Sequence, residues 1–264
     1  MIITIKPFSV ALWGPLAIHG YGIAVFLGVF LAYYALTHDT ICKTLIDKDL
    51  LDKLVSQSII VGFLGGRLLH IISERHTFSL STACAPWIGG FSILGTVISI
   101  AFYIIYSTRK YKIALMPLIE RIALYAPLAH ALGRLGCWWA GCCFGVITSA
   151  SALVSCSYTG NTAGAPCDSL LMPIQLYSAV WYIALFIVLK VLTTRIRTSS
   201  QMILGTYLLG VSGERLVLDF WRGDRIMTFS SMLSVHQWIA LMLCFLGVCV
   251  LLADKNLCKS YSIK

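Results

Sequence analysis

The sequence predicts an all-α, polytopic membrane protein, with seven transmembrane helices in a single membrane-embedded domain over residues 1–264. Three observations carry this expectation. Only 12% of the 264 residues are charged and 58% are hydrophobic, whereas about a quarter of the residues in a soluble domain are charged. Seven apolar stretches each reach the roughly 20 residues that a helix needs to cross a bilayer. The basic residues collect in short clusters between those stretches, as topology requires.

In chain order the spans run Ile18–Thr37, Leu54–Ser73, Trp87–Tyr106, Ile113–Arg134, Pro173–Leu192, Met202–Trp221 and Ser231–Leu252. The opening MIITIKPFSVALWGPLAIHGYG lacks the basic n-region and small-residue cleavage site of a removable signal peptide, so the N-terminus is expected to be mature. Loops 38–53 (Lys43, Lys48, Lys53) and 107–112 (Arg109, Lys110, Lys112) fall on one side of a seven-span arrangement. The stretch 190–201 (Lys190, Arg195, Arg197) and the tail (Lys255, Lys259, Lys264) fall on the same side. The positive-inside rule makes that side cytoplasmic, which puts the N-terminus outside and the C-terminus in the cytoplasm. The net charge of +9 therefore reports topology, and no basic stripe marks a nucleic-acid partner. Connectors are short except for 135–172, a Gly/Ser/Cys-rich segment read as an ordered extracytoplasmic loop. Asp254–Lys264 reads as a short solvated tail.

Intramembrane charge is costly and usually functional. Arg134 ends the fourth span, within HALGRLGCWWAGCCFG, and Arg215, Asp219 and Arg222 lie in the outer half of the sixth. The spacing 215, 219, 222 puts the last three on one helical face, where Asp219 is expected to orient Arg215 and leave guanidinium donors for an anion. Arginine suits phosphate because its planar fork donates two parallel hydrogen bonds. For Arg222 and Arg225 the alternative is snorkelling to the interface. His130, one turn before Arg134, suits either a general base or an interhelical hydrogen bonder. His19 and Tyr21 at the mouth of span one, with Gln175 and Tyr177 at the mouth of span five, are in reach of a common headgroup site. In span two, Gly65, Gly66 and Arg67 read first as close helix packing. Gly89, Gly90, Ser92 and Gly95 open span three, where an unwound turn presenting donors to an anion competes with ordinary packing.

Ten cysteines contain no CxxC pair. Cys42, Cys244, Cys249 and Cys258 read as small apolar residues. Cys137, Cys142, Cys143, Cys156 and Cys167 cluster in the 135–172 region. Facing an oxidising compartment, that region is expected to carry disulfides, with Cys156–Cys167 as one possible staple. No metal set is expected, because no second ligand pair accompanies the cluster, and no cofactor is implied.

Taken in order, the segments HGYG (His19–Gly22), GGRLL (Gly65–Leu69), GGFSILG (Gly89–Gly95), APLAHALGRLG (Ala126–Gly136), PIQLYSA (Pro173–Ala179), ERLVLDFWRGD (Glu214–Asp224) and SVHQ (Ser234–Gln237) resemble the prolipoprotein diacylglyceryl transferase family. The resemblance implies a multi-pass enzyme of the bacterial inner membrane. Such an enzyme moves diacylglycerol from phosphatidylglycerol, or another anionic phospholipid, to the thiol of a lipobox cysteine in a prolipoprotein signal peptide, releasing glycerol phosphate. On the matching positions Arg134 and Arg215 would grip the lipid headgroup, Tyr21 would line the site, and Asp219 and Arg222 would support it. From the residues themselves, His130 joins Arg134 and Arg215 as a catalytic candidate, and His19, Arg67, Gly90, Ser92 and Gln175 are the further substrate-binding candidates.

Two departures stand out. The position matching the family's helix-three histidine is Leu94, and the family's Asn- and Glu-containing run after GRxG is here CWWAGCCFG at 137–145. His130 is one replacement base. Cys142 or Cys143 is another replacement, as a transient acceptor or a redox partner of Cys137. A non-catalytic phospholipid-binding paralogue and a thiol–disulfide membrane oxidoreductase are the competing functions.

Overall fold

The computed structural model describes residues 2–13, 16–73, 90–149, 154–160, 162–196, 198–227 and 232–254. These are mostly helical. Long helices run at α1 (Gly20–His38), α3 (Lys48–Ser73), α4 (Ile93–Tyr111), α5 (Leu115–Ala140), α6 (Ile174–Val191), α7 (Ser200–Leu218) and α8 (Val235–Leu252), with a short α2 at Thr40–Leu45. Four stretches, Gly20–His38, Lys48–Ser73, Ile174–Ile196 and Val235–Leu252, are long and apolar enough to cross a membrane. Their outward faces carry large apolar side chains such as Phe26, Phe30, Phe63, Leu64, Ile187 and Phe245. In water such surface would drive association, whereas lipid is its natural solvent.

The all-α expectation needs one correction. Short strands β1 (Ile2–Ile5), β2 (Ser9–Trp13), β3 (Leu16–His19) and β4 (Ser155–Tyr158) form two pairs, β2 with β3 and β1 parallel to β4. They arise where the chain leaves the helices and its backbone groups must find partners of their own. Boundaries also move. α5 continues past Arg134 to Ala140, so Cys137 and both tryptophans are helical. α4 begins at Ile93, with Ser92 as its N-cap. Trp87 to Gly89, at the expected start of span three, lie outside the described residues, as do Ser231 and the tail beyond Asp254.

The chain divides into two compact units. One consists of Trp13–Leu16 and Leu36–Leu118. Within it α3 and α4 meet through small residues: Gly62 lies 3.1 Å, measured from an added Cβ, from the Thr96 methyl, and Gly65 faces Ser99 and Gly95. This is the packing role expected for the paired glycines. Tyr103 donates to Gln57 Oε1 at 2.6 Å across the same pair of helices.

The other unit holds Met1–Leu12, Ala17–Ala35 and Ile119–Lys264. Its helices alternate in direction. Ser200 at the start of α7 donates to Glu120 near the start of α5 at 2.6 Å, and Ser199 bonds Asp254 just after α8. At the opposite end Arg134 of α5 meets Glu214 of α7. Between them α6 runs the other way, with Gln175 beside Cys142 and Lys190 donating to Tyr125 at 3.5 Å. The segment after α5 packs under β1: Ile5, Cys156, Tyr158, Ala165 and Leu171 form a buried cluster with Ile3, Trp138 and Phe144 against it.

Candidate functional site

Glu214 is the hub. Its carboxylate, 3% exposed, accepts from Arg134 Nη2 of α5 at 3.0 Å and lies 3.5 Å from Arg215 Nε. It also accepts from the Ser178 hydroxyl and, at 3.3 Å, from the Tyr182 hydroxyl, both on α6. Three helices thus converge on one buried carboxylate, which holds two guanidinium groups together. Sharing one acid between two arginines leaves the cluster a net cation. Arg215 Nη1 has no hydrogen-bond partner among the described residues although it is buried. A buried unpartnered donor is costly, and an anionic ligand would satisfy it.

The expectation that Asp219 orients Arg215 is not met. The α-helix of α7 stops at Leu218, and a 3-10 turn follows at Asp219–Trp221, so the assumed single helical face breaks where it was needed. Asp219 turns instead to Ser234 Oγ at 2.5 Å, Arg222 Nε at 3.8 Å and Arg225 Nε at 3.6 Å. Nor do Arg222 and Arg225 snorkel. Arg222 makes a bidentate pair with Asp224 at 2.9 and 2.8 Å, while Arg225 donates to Gln237 at 3.0 Å and lies over the Phe220 ring. Together they lock the end of α7 to the start of α8.

His130 is a hydrogen bonder. Its Nε2 lies 2.9 Å from the Tyr207 hydroxyl, and its ring stacks on Tyr182 with centroids 4.9 Å apart. The stacking contact braces Tyr182, which supports Glu214, and the bond to Tyr207 fixes the imidazole in place. Tyr21 packs on Gly136, within electrostatic reach of Arg134 and of three cysteines, and His19 is exposed at the end of β3. Gln175 is buried and donates from Nε2 to the Cys142 carbonyl at 2.9 Å. Arg67, Gly90 and Ser92 lie in the other compact unit. There Arg67 Nη1 donates to the Gly90 carbonyl at 2.9 Å, and Gly90 takes φ +82°, open to glycine.

The model of the family "prolipoprotein diacylglyceryl transferase" matches residues 7–253. The chain belongs to this family. Three similar curated relatives carry the name phosphatidylglycerol–prolipoprotein diacylglyceryl transferase. The one from Clostridium tetani is 29% identical over 95% of this chain and 98% of its own length. That of the Wolbachia of Brugia malayi is 28% identical over 92% and 93%, and that of Ligilactobacillus salivarius is 29% identical over 90% and 89%. None of these names points to an oxidoreductase.

Against that family background, the cysteine run takes a definite shape. Gly141, at φ +74°, closes α5 in a left-handed cap, with Gly141 N and Cys142 N both donating to the Cys137 carbonyl at 3.0 and 3.1 Å. The turn brings the sulfurs of Cys137, Cys142 and Cys143 within 4.8 Å of one another. Hydrogen bonds from Cys137 and Cys142 hold the Cys143 thiol well below the usual thiol range, with Arg222 and Arg134 adding their charge. Cys142 is pushed up by its hydrogen bonds to Cys137 and Cys143 and by burial.

The expected disulfides are absent among the described residues, whose eight cysteines are all free. Cys156 Sγ instead faces the Leu171 carbonyl at 3.5 Å, inside the buried cluster, and Cys167 Sγ faces the Gly160 carbonyl at 3.2 Å. The sequence reading named Arg134 and Arg215 but missed Glu214, Ser178 and Tyr182. A glutamate within an apolar span, directly before Arg215, is the signal the sequence carries for it. His236 of α8, within electrostatic reach of Arg215 and Arg222, was likewise passed over.

Proposed function

We propose that the chain transfers the diacylglyceryl group of phosphatidylglycerol, or a closely related anionic phospholipid, to a cysteine thiol of a lipoprotein precursor. One observation carries this reading: Arg134 and Arg215, from separate helices, share Glu214 while Arg215 keeps a buried donor open. A phosphodiester seated there would accept that donor. As its ester C–O bond breaks, the departing glycerol phosphate gains charge that the net-positive cluster stabilises. The thiolate attacks the glyceryl carbon, the S–C bond forms, and the thiol proton leaves with the phosphate product or passes to water.

Residues Arg134 and Arg215 are assigned to the lipid phosphate, Glu214, Ser178 and Tyr182 to holding the guanidinium groups, and His130 to bracing Tyr182. Gln175, Asp219 and Arg222 shape the surrounding turns. The same reading places the protein in the bacterial inner membrane with seven spans, its N-terminus and the 135–172 segment outside, and a lipobox cysteine as acceptor. Pairing of β1 with β4 supports it, since both would have to lie on one side of the bilayer.

Reconstituted protein with labelled phosphatidylglycerol and a lipobox peptide is the test. Arg134→Ala and Arg215→Ala are each expected to lower transfer by about 100-fold or more, the scale of losing a transition-state charge donor, while the protein still inserts. Wild-type rates in either variant would move the site elsewhere.

A further inference from the structure

Resting on the proposed thiol acceptor, one question stays open: what turns that thiol into a thiolate. His130 is engaged by Tyr207, and position 94 carries a leucine. We propose that Cys137, Cys142 and Cys143 bind a zinc ion whose fourth position takes up the acceptor thiol as a thiolate.

The geometry supports three ligands on one ion. Zinc–thiolate bonds are about 2.3 Å, so sulfurs sharing a tetrahedral zinc sit roughly 3.8 Å apart. The three Sγ atoms already lie within 4.8 Å of one another, so small side-chain rotations complete the set. The donors are also prepositioned. Cys143 is held at φ +54°, a left-handed conformation that non-glycine residues rarely adopt outside constrained sites. Its turn is pinned by the Gly141 cap, by Gln175 Nε2 on the Cys142 carbonyl at 2.9 Å, and by Gly223 N on the Phe144 carbonyl at 2.9 Å. Strain of this kind persists only where surrounding structure enforces it.

Charge balance points the same way. Zinc with three thiolates is a complex of net charge −1, and Arg134 and Arg222 lie within electrostatic reach of Cys143. Thiolate donors select zinc or copper(I) among available ions. Three protein ligands on zinc leave an open position, the mark of a catalytic rather than a structural zinc site. Zinc bound there deprotonates a coordinated thiol. The step balances without redox chemistry: the acceptor S–H loses its proton to water, sulfur binds zinc, and the thiolate then forms its bond to the glyceryl carbon as the C–O bond to phosphate breaks.

A covalent role for Cys142 or Cys143 is chemically poorer. A glyceryl thioether on the enzyme would have to be displaced again, and a thioether sulfur is a weak leaving group.

The test uses the full-length protein purified in detergent with reductant, dialysed against equimolar zinc and analysed for metal. About one zinc per chain is expected in the wild type, at most a tenth of that in Cys142→Ser and Cys143→Asn, and near-full occupancy in Cys142→His, which restores a ligand. Cobalt(II)-loaded protein should show a thiolate-to-metal absorption band whose spectrum changes on adding the lipobox peptide and not its serine analogue. A metal-free wild type, a Cys–Cys disulfide, copper in place of zinc, zinc retained by Cys142→Ser, or a cobalt spectrum blind to the peptide thiol each overturns the proposal. Transfer that survives full chelation also overturns it and leaves the transferase reading intact. Zinc and thiol binding without lipid transfer would instead uphold the metal site and sink the transferase reading.

Discussion

At the scale of single residues, Glu214 matters more than either arginine it holds. Truncating one member of a buried ion pair leaves an uncompensated charge and costs about 3–5 kcal/mol. Here two guanidinium groups and two hydroxyls would lose their common acceptor. Glu214→Ala is therefore expected to lower the unfolding midpoint in detergent markedly, whereas Glu214→Gln keeps the shape and one acceptor oxygen and should fall between Ala and wild type. An unchanged midpoint in Glu214→Ala would mean that Arg134 and Arg215 find other partners. Cys156 offers a second residue-level check. Burial pushes its thiol up, and 1% of its surface is exposed, while Cys167 is exposed. Because the reactive species is the thiolate, a small alkylating reagent at neutral pH should modify Cys167 well before Cys156, read by peptide mass.

Elements were the best-predicted level, and their ends the worst. Apolar length alone located the long helices, four of which are long and apolar enough to cross a membrane, because a bilayer demands about 20 apolar residues from each helix that crosses it. Length says nothing of where a helix stops, since caps and tertiary partners decide that. α5 runs on through Gly136 and Trp139 because Gly141, not Arg134, supplies the left-handed residue that ends it. α7 ends before Asp219 because that carboxylate is engaged by Ser234, the N-cap of the next helix. One hydroxyl therefore serves two elements: Ser234 Oγ donates to Asp219 and accepts from Gln237 N at 3.2 Å, within a reciprocal capping box. Loss of a cap costs about 1 kcal/mol, and a buried acceptor left short of a partner costs about 1–3 kcal/mol more. Ser234→Ala should thus destabilise by roughly 2–4 kcal/mol on those two principles, with Ser234→Thr recovering most of it. A loss below about 1 kcal/mol would show that Asp219 is satisfied by Arg222 and Arg225 alone.

For the whole molecule, the decisive question is which way the chain threads the bilayer. Basic residues give one answer from sequence: Arg109, Lys110 and Lys112 crowd one short connector, and the positive-inside rule puts that connector in the cytoplasm. Strand pairing adds an independent constraint, on the parity of crossings alone. β1 precedes and β4 follows the four long helices α1, α3, α4 and α5, and the two strands pair in register from Ile2–Ser155 to Ile5–Tyr158. Paired strands lie on one side, so the chain between them makes an even number of crossings. That pairing was invisible in the sequence, because four-residue strands far apart in the chain leave no periodic signal. With one crossing each for α1, α3, α4 and α5, as the proposed topology requires, Cys167 in the segment between α5 and α6 would lie opposite the 107–112 connector. A membrane-impermeant maleimide added to intact spheroplasts should therefore label Cys167, with Cys167→Ser as the blank. In a Cys167→Ser background, Arg109→Cys should be labelled only after lysis. Labelling of both positions from the same side would break the agreement between charge and strand pairing, and a Cys167 labelled only after lysis would move the Arg134–Glu214–Arg215 cluster to a leaflet where an exported lipoprotein thiol could not reach it.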